Sequence, residues 1–497
     1  MKPQNAEASP RSTLLESYLR ATATVDREHT NHSLRVIEGL IPVALRGVLY
    51  RNGPGTMQSF GEPYQHPFDG DGMVTRFSFE AESVRYTNRF VQTKERREEA
   101  RAGRMLYRSF GTNLPGGLLR NLARLQFKNA ANTSVIVDGG KLLALWEGGV
   151  PHALDATTLA TIGPYDYAGR LRNVGSRLER SLAPFLPFSA HPKRDVDTGE
   201  LVNFGTLAGR RPRLVLHRID RHGTMQAPQF VALDDLSFVH DFILTRRYAV
   251  FFVPSVAFDL VRAFLGLTTP AASLRARHGK KAALLLVPRD GGAPRSFEVN
   301  AGFVFHFVNG FEDDSGHVVL DALRMGSLPH ADDIARFLKG ENVAIPQAYP
   351  TRFVLDPERA NVTEEQLFDL PAELPTIDPR SVGRPYRAFW SVAGHAGDAS
   401  PFMTRVARIE MASGSQRARD FFPDFPGEPL FVPRPSADES REQGWVLVLV
   451  YRVATHRSEL VILDAGTLDS VCRLELPHHV PPGFHGTWVP SDGQRHT

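Results

Sequence analysis

The chain has 497 residues, 42% hydrophobic and 23% charged, enough for one large domain or for roughly two to four ordinary domains. Its 58 basic and 55 acidic residues leave a net charge of +3, which does not indicate nucleic acid as a partner. A single cysteine, Cys472, excludes a disulfide framework and a thiolate metal site, and it fits a reducing cytoplasm.

The chain also lacks the usual signals for membrane insertion. The N-terminus has no apolar segment of signal-peptide length, and no stretch reaches the roughly 18 consecutive apolar residues of a membrane helix. We therefore expect a cytoplasmic protein without a membrane-spanning helix. Helical periodicity is scarce and predicts helices over residues 13–23, 118–127, 259–267 and 332–338.

Most of the remaining chain has the pattern of short strands separated by turns. Examples are LVNFG (201–205), YAVFF (248–252), FVFHFVNGFE (303–312) and WVLVLVYRV (445–453). The 41 glycines and 36 prolines suit the many turns between them. This pattern predicts one large all-β domain, a propeller or a sandwich, and no internal repeat is regular enough to give a blade count.

Four of the 18 histidines share one setting, between apolar or small residues and near strand ends: His191, His240, His306 and His485. A lone histidine in such a place is more often a satisfied core residue. Several buried imidazoles are costly without partners, and a divalent metal removes that cost, because neutral imidazole binds Fe, Zn, Cu or Ni well. Spacings of 49, 66 and 179 residues exclude a local metal motif and suit ligands from separate strands.

Ten motifs follow one another along the chain. They are RGVLYRNGPG (46–55), HPFDGDGMV (66–74), NAANTSVI (129–136), LLALWEGGVPHALD (142–155), SAHPKRD (189–195), FVHDF (238–242), FVFHFVNGFE (303–312), GEPLFVPRP (427–435), SELVILDA (458–465) and PPGFHG (481–486). In this order they resemble the carotenoid cleavage oxygenase family, which includes apocarotenoid oxygenases, retinal-forming enzymes and the retinal pigment epithelium isomerase. The resemblance runs from about residue 42 to residue 488.

The resemblance implies a seven-bladed β-propeller with a helical and loop cap over its top face. It implies one domain over residues 42–497, with residues 1–41 forming a helical or extended segment packed on it. A non-haem Fe(II) is expected on the propeller axis, on the top face under the cap. Its expected ligands are His191, His240, His306 and His485.

The resemblance also assigns residues around that metal. Glu147, Glu373 and Glu428 are expected to accept imidazole N–H groups and raise ligand basicity, whereas His485 has no obvious carboxylate of its own. Thr133 is expected to pack near the open iron coordination site. No catalytic side chain is expected beyond the metal centre, and the RNGPG and HPFDGDGMV segments are interpreted as turn-forming.

The implied reaction is cleavage of a carotenoid or apocarotenoid C=C bond by O2 to give two aldehydes, with 15,15′ cleavage to retinal as the specific expectation. Relatives that cleave stilbenes commonly carry a lysine just before the first of these glutamates. Here that residue is Trp146, which favours a long apolar substrate beside it in a tunnel. The alternatives are a stilbene- or phenylpropene-cleaving dioxygenase, a retinoid isomerohydrolase, and a non-catalytic propeller that binds apolar ligands.

An apolar substrate must be extracted from a membrane, so we expect peripheral membrane contact and no obligate protein partner. Residues 253–281 are the first candidate for that contact, and residues 114–127 are the second. In the first, basic residues at 275, 277, 280 and 281 could meet anionic headgroups. The alternative is a helix packed on the propeller. The predicted apolar face consists of Phe258, Val261, Phe264, Leu265 and Leu267.

Overall fold

The computed structural model describes residues 10–491, apart from residues 125, 278, 399 and 436–442. The described strands form seven antiparallel sheets of four to six strands each. The innermost strands of several neighbouring sheets contact one another, and the sheets are arranged radially as the blades of a propeller. The prediction of a seven-bladed β-propeller is confirmed.

The blades are numbered along the chain, and their strands are given from the axis outward. Blade 1 contains Gly486–Pro490, Gly47–Pro54, Gly72–Phe79, Val84–Phe90 and His29–Ser33. Blade 2 contains Ser134–Asp138, Lys141–Leu145, His152–Leu154 and Thr161–Pro164. Blade 3 contains Lys193–Arg194, Leu201–Leu207, Arg213–Ile219 and Gln229–Ala232. Blade 4 contains Phe242–Leu244, Tyr248–Val253, Ala282–Pro288 and Arg295–Val299.

The last three blades follow the same order. Blade 5 contains Phe303–Glu312, Val318–Met325, Ala348–Asp356 and Asn361–Gln366. Blade 6 contains Ala372–Thr376, Ala388–Ala393, Arg405–Glu410 and Gln416–Asp420. Blade 7 contains Phe425–Pro426 and Leu430–Pro433, both paired with Gly444–Arg452, then Arg457–Asp464, Ser470–Glu475 and Arg35–Gly39. Two small hairpins lie outside the blades, Gln58–Ser59 with Glu62–Pro63 and Val256–Phe258 with Leu274–Ala276.

The hydrophobic core is divided among the interfaces between neighbouring blades. Seven clusters of buried apolar side chains, counted over the described residues, each join two adjacent blades. The strand Gly444–Arg452 shows the reason: almost all of its residues are buried, because both faces of a central propeller strand pack on neighbours. The continuous apolar runs in the sequence therefore correspond to strands that are buried on both faces.

The two ends of the chain close the ring. The C-terminal strand Gly486–Pro490 pairs with Gly47–Pro54 on the inside of blade 1. On the outside, His29–Ser33 joins blade 1 and Arg35–Gly39 joins blade 7. These two strands precede residue 42, and the division of the chain at that residue stays a prediction.

Six α-helices lie in the described residues: Pro10–Ala21, Lys94–Ala102, Leu118–Asn121, Arg177–Leu182, Leu260–Phe264 and Ala331–Leu338. None of them is long and apolar enough to cross a bilayer. Three short 3₁₀ turns lie at Pro67–Asp69, Ala271–Ser273 and Pro379–Ser381. The predicted cap is confirmed, since Pro10–Ala21 and Ala331–Leu338 both contribute side chains to a cavity above the axis.

The predicted helices over 118–127 and 259–267 were wrong in length. The first ends early because Asn121 donates from its side chain to the carbonyl groups of Leu114 and Gly117, in competition with continued helix. The sequence pattern missed Lys94–Ala102, which is highly charged and carries no apolar stripe. Its start is capped by Thr93 and its end by Gly103 in the left-handed conformation.

The interface between blades 1 and 7 gives a stability test. Leu49 is buried there against apolar residues of both blades. Leu49→Ala should lower the free energy of unfolding by about 2–5 kcal/mol, because it removes buried methyl groups and leaves a cavity. The midpoint of urea or thermal unfolding measures this, with the exposed Val43→Ala as control. Equal midpoints for the two variants would contradict this account of ring closure.

Candidate metal centre

Four histidines converge on the propeller axis from four different blades. His191 and His240 each lie two residues before the innermost strand of blades 3 and 4, respectively. His306 lies within the innermost strand of blade 5, and His485 directly precedes that of blade 1. One ring nitrogen of each lies within 4.8 Å of the others. The structure therefore brings together all four histidines that the sequence singled out.

The ring nitrogens face one another in two close pairs. The Nε2 atoms of His191 and His240 are 2.9 Å apart, and those of His306 and His485 are 3.2 Å apart. Two nitrogens bound at right angles to one ion at about 2.1 Å would be about 3 Å apart. The spacing therefore fits two ligand pairs on a single ion.

Two carboxylates bind the outer nitrogens of this cluster. The Nδ1 atom of His306 lies 2.5 Å from Oε2 of Glu373, and Nδ1 of His485 lies 2.7 Å from Oε1 of Glu428. An imidazole that donates its Nδ1–H to a carboxylate carries its lone pair on Nε2 when it is neutral. Those two lone pairs point at each other across 3.2 Å, an arrangement that a cation between them stabilises.

Glu147 approaches a third histidine less closely. Its Oε1 atom lies 3.3 Å from Nδ1 of His240, and both atoms are buried without a hydrogen bond in the described structure. Glu147 therefore contacts His240 without the bond that Glu373 and Glu428 make. Burial raises the pKa of Glu147 well above its usual value.

The expectation that His485 lacks a carboxylate was wrong, because His485 binds Glu428. His191 is the histidine whose carboxylate neighbour lies furthest away: Oδ1 of Asp241 is 4.0 Å from its Nδ1. The oxygens of Asp241 are engaged elsewhere: Oδ1 binds Lys193 at 2.9 Å, and Oδ2 accepts the backbone N–H of Phe307 at 2.9 Å.

Asp241 connects three blades beside their histidines. It directly follows His240 in blade 4, and its partners Lys193 and Phe307 come from blades 3 and 5. Lys193 lies two residues after His191, and Phe307 directly follows His306. The FVHDF motif shows Asp241 in the sequence, but its partners are far away along the chain, so its connecting role was missed.

Burial keeps most of the cluster neutral. Burial and the neighbouring histidines hold the pKa values of His191 and His240 well below the usual value. Burial also lowers the pKa of His485, although Glu428 offsets part of this effect. At His306 burial lowers the pKa, but Glu373 outweighs it, so the pKa is raised. Neutral imidazoles have lone pairs free for a metal, so the donor set fits a transition-metal ion.

A largely apolar cavity of about 420 Å³ opens onto this cluster. Three of the histidines, His240, His306 and His485, reach its wall, as does Glu373. Thr133 also lines the cavity, and its carbonyl accepts the backbone N–H of His485 at 3.1 Å. Apolar side chains form most of the remaining wall, including Phe68, Phe305, Met325, Val392, Phe402 and Phe484.

Trp146 is not among the residues that line this cavity. Its ring lies over Gly148 and Gly149, where an added Cβ would approach it to 3.2 Å. The role of Trp146 in a substrate tunnel stays a prediction. Phe68 was missed because its HPFDGDGMV segment read as a turn: a 3₁₀ turn places its ring parallel to that of His240, with centroids 6.4 Å apart.

An exposed apolar surface lies on two adjacent segments away from the histidines. The backbone N–H of Ala123 donates to the carbonyl of Phe264 at 3.1 Å, so the two segments are in contact. Phe258, part of the predicted face, is instead half-buried against Phe238, since it belongs to the hairpin Val256–Phe258. We call the exposed residues the apolar patch: Leu118, Leu119, Leu122, Leu260, Val261, Phe264, Leu265 and Leu267.

The basic residues after this patch are largely paired with acids. Arg277 and Lys280 both form ion pairs with Asp235, and Lys281 pairs with Glu298. Each of these three basic side chains is about half exposed or more. Their attraction for an anionic surface is therefore weaker than the sequence suggested.

Comparisons with known proteins agree on one family. The model of the retinal pigment epithelial membrane protein family matches residues 22–490. The apocarotenoid-15,15′-oxygenase of Synechocystis is 37% identical, over 98% of this chain and 99% of the relative. The isoeugenol monooxygenase of Pseudomonas putida is 30% identical, over 91% and 93%, respectively.

Solved structures agree with this result. A cobalt-substituted Synechocystis apocarotenoid oxygenase is 36% identical and superposes with a TM-score of 0.88, covering 96% of this chain and 99% of that one. A point variant of the same protein gives a TM-score of 0.89 with the same coverage and identity. The chain belongs to the retinal pigment epithelial membrane protein family, which is the family of the carotenoid cleavage oxygenases.

Proposed function

We propose that this chain is a non-haem Fe(II)-dependent dioxygenase that cleaves a C=C bond of an apocarotenoid, at the 15,15′ position, to give retinal and a second aldehyde. The observation that carries the proposal is the cluster of four imidazoles opening onto an apolar cavity. The name of the Synechocystis relative supports the 15,15′ position. His191, His240, His306 and His485 would hold the iron.

Bound Fe(II) supplies the redox chemistry by which O2 reacts with an electron-rich double bond, which zinc does not supply. In the overall reaction the C=C and O–O bonds break and two C=O bonds form. Both oxygen atoms enter the products, so no external reductant is needed. No side-chain acid or base is required by this balance.

The residues of the chain bind and orient the substrate. Phe68 and Phe305 stand beside His240, with Phe305 meeting it edge-on at a centroid distance of 5.3 Å. These rings provide an apolar surface for a conjugated polyene and exclude water from the double bond. Thr133 places a β-branched side chain on the same wall, which restricts the space above the histidines.

The carboxylates fix the imidazoles. Glu373 and Glu428 hold His306 and His485 by their Nδ1–H groups, so each ring presents Nε2 to the axis. All four ligands are neutral when bound, so the ion keeps its full charge. A neutral ligand set also suits a cavity whose other walls are apolar.

A product assay tests the reaction. We expect the iron-loaded protein to convert a β-apocarotenal in detergent micelles to retinal under air, because the cavity presents its double bond to the four-histidine site. Chromatography of the aldehydes locates the cut. The family also contains isoeugenol and resveratrol oxygenases. Cleavage of isoeugenol or resveratrol, with no apocarotenal cleaved, would overturn the proposal and favour the alternative substrate class.

A histidine substitution tests the metal ligands. Loss of a residue that hydrogen-bonds a metal ligand typically lowers metal affinity about 10–100-fold. His240→Ala removes a ligand itself, so it should lower iron affinity further and should abolish retinal formation. Metal analysis after gel filtration measures bound iron. The control is His152→Ala, which removes a buried imidazole from blade 2, outside the cluster. Full iron content in folded His240→Ala protein would contradict the assignment.

We further propose that the apolar patch contacts a membrane from which substrate is taken. Leu119 is 86% exposed in the patch, and Leu119→Asp should weaken binding to vesicles of phosphatidylcholine and phosphatidylglycerol. Losing one buried leucine costs about 1.5–3 kcal/mol, or roughly tenfold or more in the partition coefficient. The control is Val174→Asp, a residue 80% exposed outside the patch. Equal cosedimentation of the two variants would exclude this contact.

A further inference from the structure

Arg51 is a buried cation that the proposed reaction does not use. It lies in the RNGPG segment, in the strand Gly47–Pro54 of blade 1, and is 5% exposed. Its Nη1 donates to Oε2 of Glu428, and its Nη2 donates to the carbonyl of Phe484 at 3.2 Å. Both acceptors adjoin His485: Glu428 binds its ring, and Phe484 precedes it in the chain.

The backbone around His485 is fitted to this guanidinium. In the pairing of the two strands, Arg51 lies directly opposite Gly486. A Cβ on Gly486 would lie 2.4 Å from the backbone oxygen of Tyr50 and 2.6 Å from Cδ of Arg51, so only glycine allows this close pairing of the two strands. The N–H of Gly486 also donates to Oε2 of Glu428 at 3.1 Å. One carboxylate oxygen of Glu428 therefore binds Arg51 and Gly486, while the other binds His485.

The burial of Glu428 explains why a cation is needed at this point. A buried carboxylate is costly unless it is paired or hydrogen-bonded. Arg51 supplies that partner, because its own side chain is buried and forms an ion pair with Glu428. Asp241, a second buried carboxylate beside the histidines, is paired with Lys193 in the same way.

We propose that Arg51 is a positioning residue of the metal centre: it pairs with the buried Glu428 and, through Glu428 and Phe484, holds His485 toward the axis. This inference rests on the proposed metal site. Arginine suits the task because its planar fork serves two acceptors in fixed directions, whereas lysine is a point charge. A mere structural ion pair would affect stability without affecting the metal.

Cobalt affinity separates these two roles without depending on turnover. Cobalt(II) is titrated into the full chain after iron removal by chelation, and the visible absorption bands give the dissociation constant. Arg51→Met should raise that constant about 10–100-fold, as expected for losing a partner of a ligand. Arg51→Lys, which keeps the charge but not the fork, should give a smaller increase.

Arg289→Met is the matched control. Arg289 is an arginine whose side chain is only 11% exposed, and it binds Asp195 at 2.6 Å and Glu200 at 3.0 Å, both outside the histidine cluster. Its substitution should lower the unfolding temperature and leave cobalt affinity unchanged. Equal affinity shifts for Arg51→Met and Arg289→Met would overturn the proposal. If Arg51→Met does not fold, Arg51→Lys is measured in its place. A cobalt affinity of Arg51→Lys equal to that of the parent would then overturn the proposal.

A double-mutant cycle tests the route through Glu428. Arg51→Met in a Glu428→Gln background should weaken cobalt binding much less than it does in the parent, because the charge to be compensated is already gone. If each substitution instead raises the cobalt dissociation constant by the same factor with or without the other, Arg51 does not act through Glu428. Failure of the parent itself to bind cobalt or iron would instead overturn the metal site and the proposed function, so the two failures are distinguishable.

Discussion

The pairing of Gly486–Pro490 with Gly47–Pro54 joins the last described strand of the chain to the inside of blade 1. Hydrogen bonds across this pair close the ring, so the seven apolar interfaces form a continuous circle. The same pairing delivers His485 to the cluster and brings Arg51 opposite Gly486. The strand pair that closes the fold therefore also brings His485 into the histidine cluster.

The ring also explains which carboxylate meets which histidine. Blades 1, 3, 4 and 5 each bring one histidine to the axis, and blades 6 and 7 bring Glu373 and Glu428. Blade 6 adjoins blade 5, so Glu373 meets His306; blade 7 adjoins blade 1, so Glu428 meets His485. Blade 2 contributes Thr133 and Glu147, and Glu147 contacts His240 of blade 4 without a hydrogen bond. The order of blades around the axis therefore sets the two bonded pairs, whatever the separation along the sequence.

This geometry decides what could be predicted from the sequence. The strand FVFHFVNGFE was predicted to the residue, because its apolar run needs no knowledge of neighbours. The four histidines were found because a polar ring in an apolar setting is conspicuous. Seven blades followed from the resemblance alone. His485 was expected to have no carboxylate of its own, and Arg51 was interpreted as part of a turn. Both depend on contacts between blades 1 and 7 that no local pattern encodes.

On the proposed assignment, the charge of the ion is offset by groups just outside its ligands. Neutral imidazoles keep the charge on the ion, and the carboxylates one hydrogen bond further out compensate it while raising the basicity of their histidines. An unpaired charge beside Phe68 and Phe305 would be costly, because those apolar walls cannot solvate it. Water would then enter the site to solvate that charge, and an apolar substrate would have to displace it. By pairing with Glu428, the buried Arg51 satisfies this carboxylate without such water and holds one ligand in place.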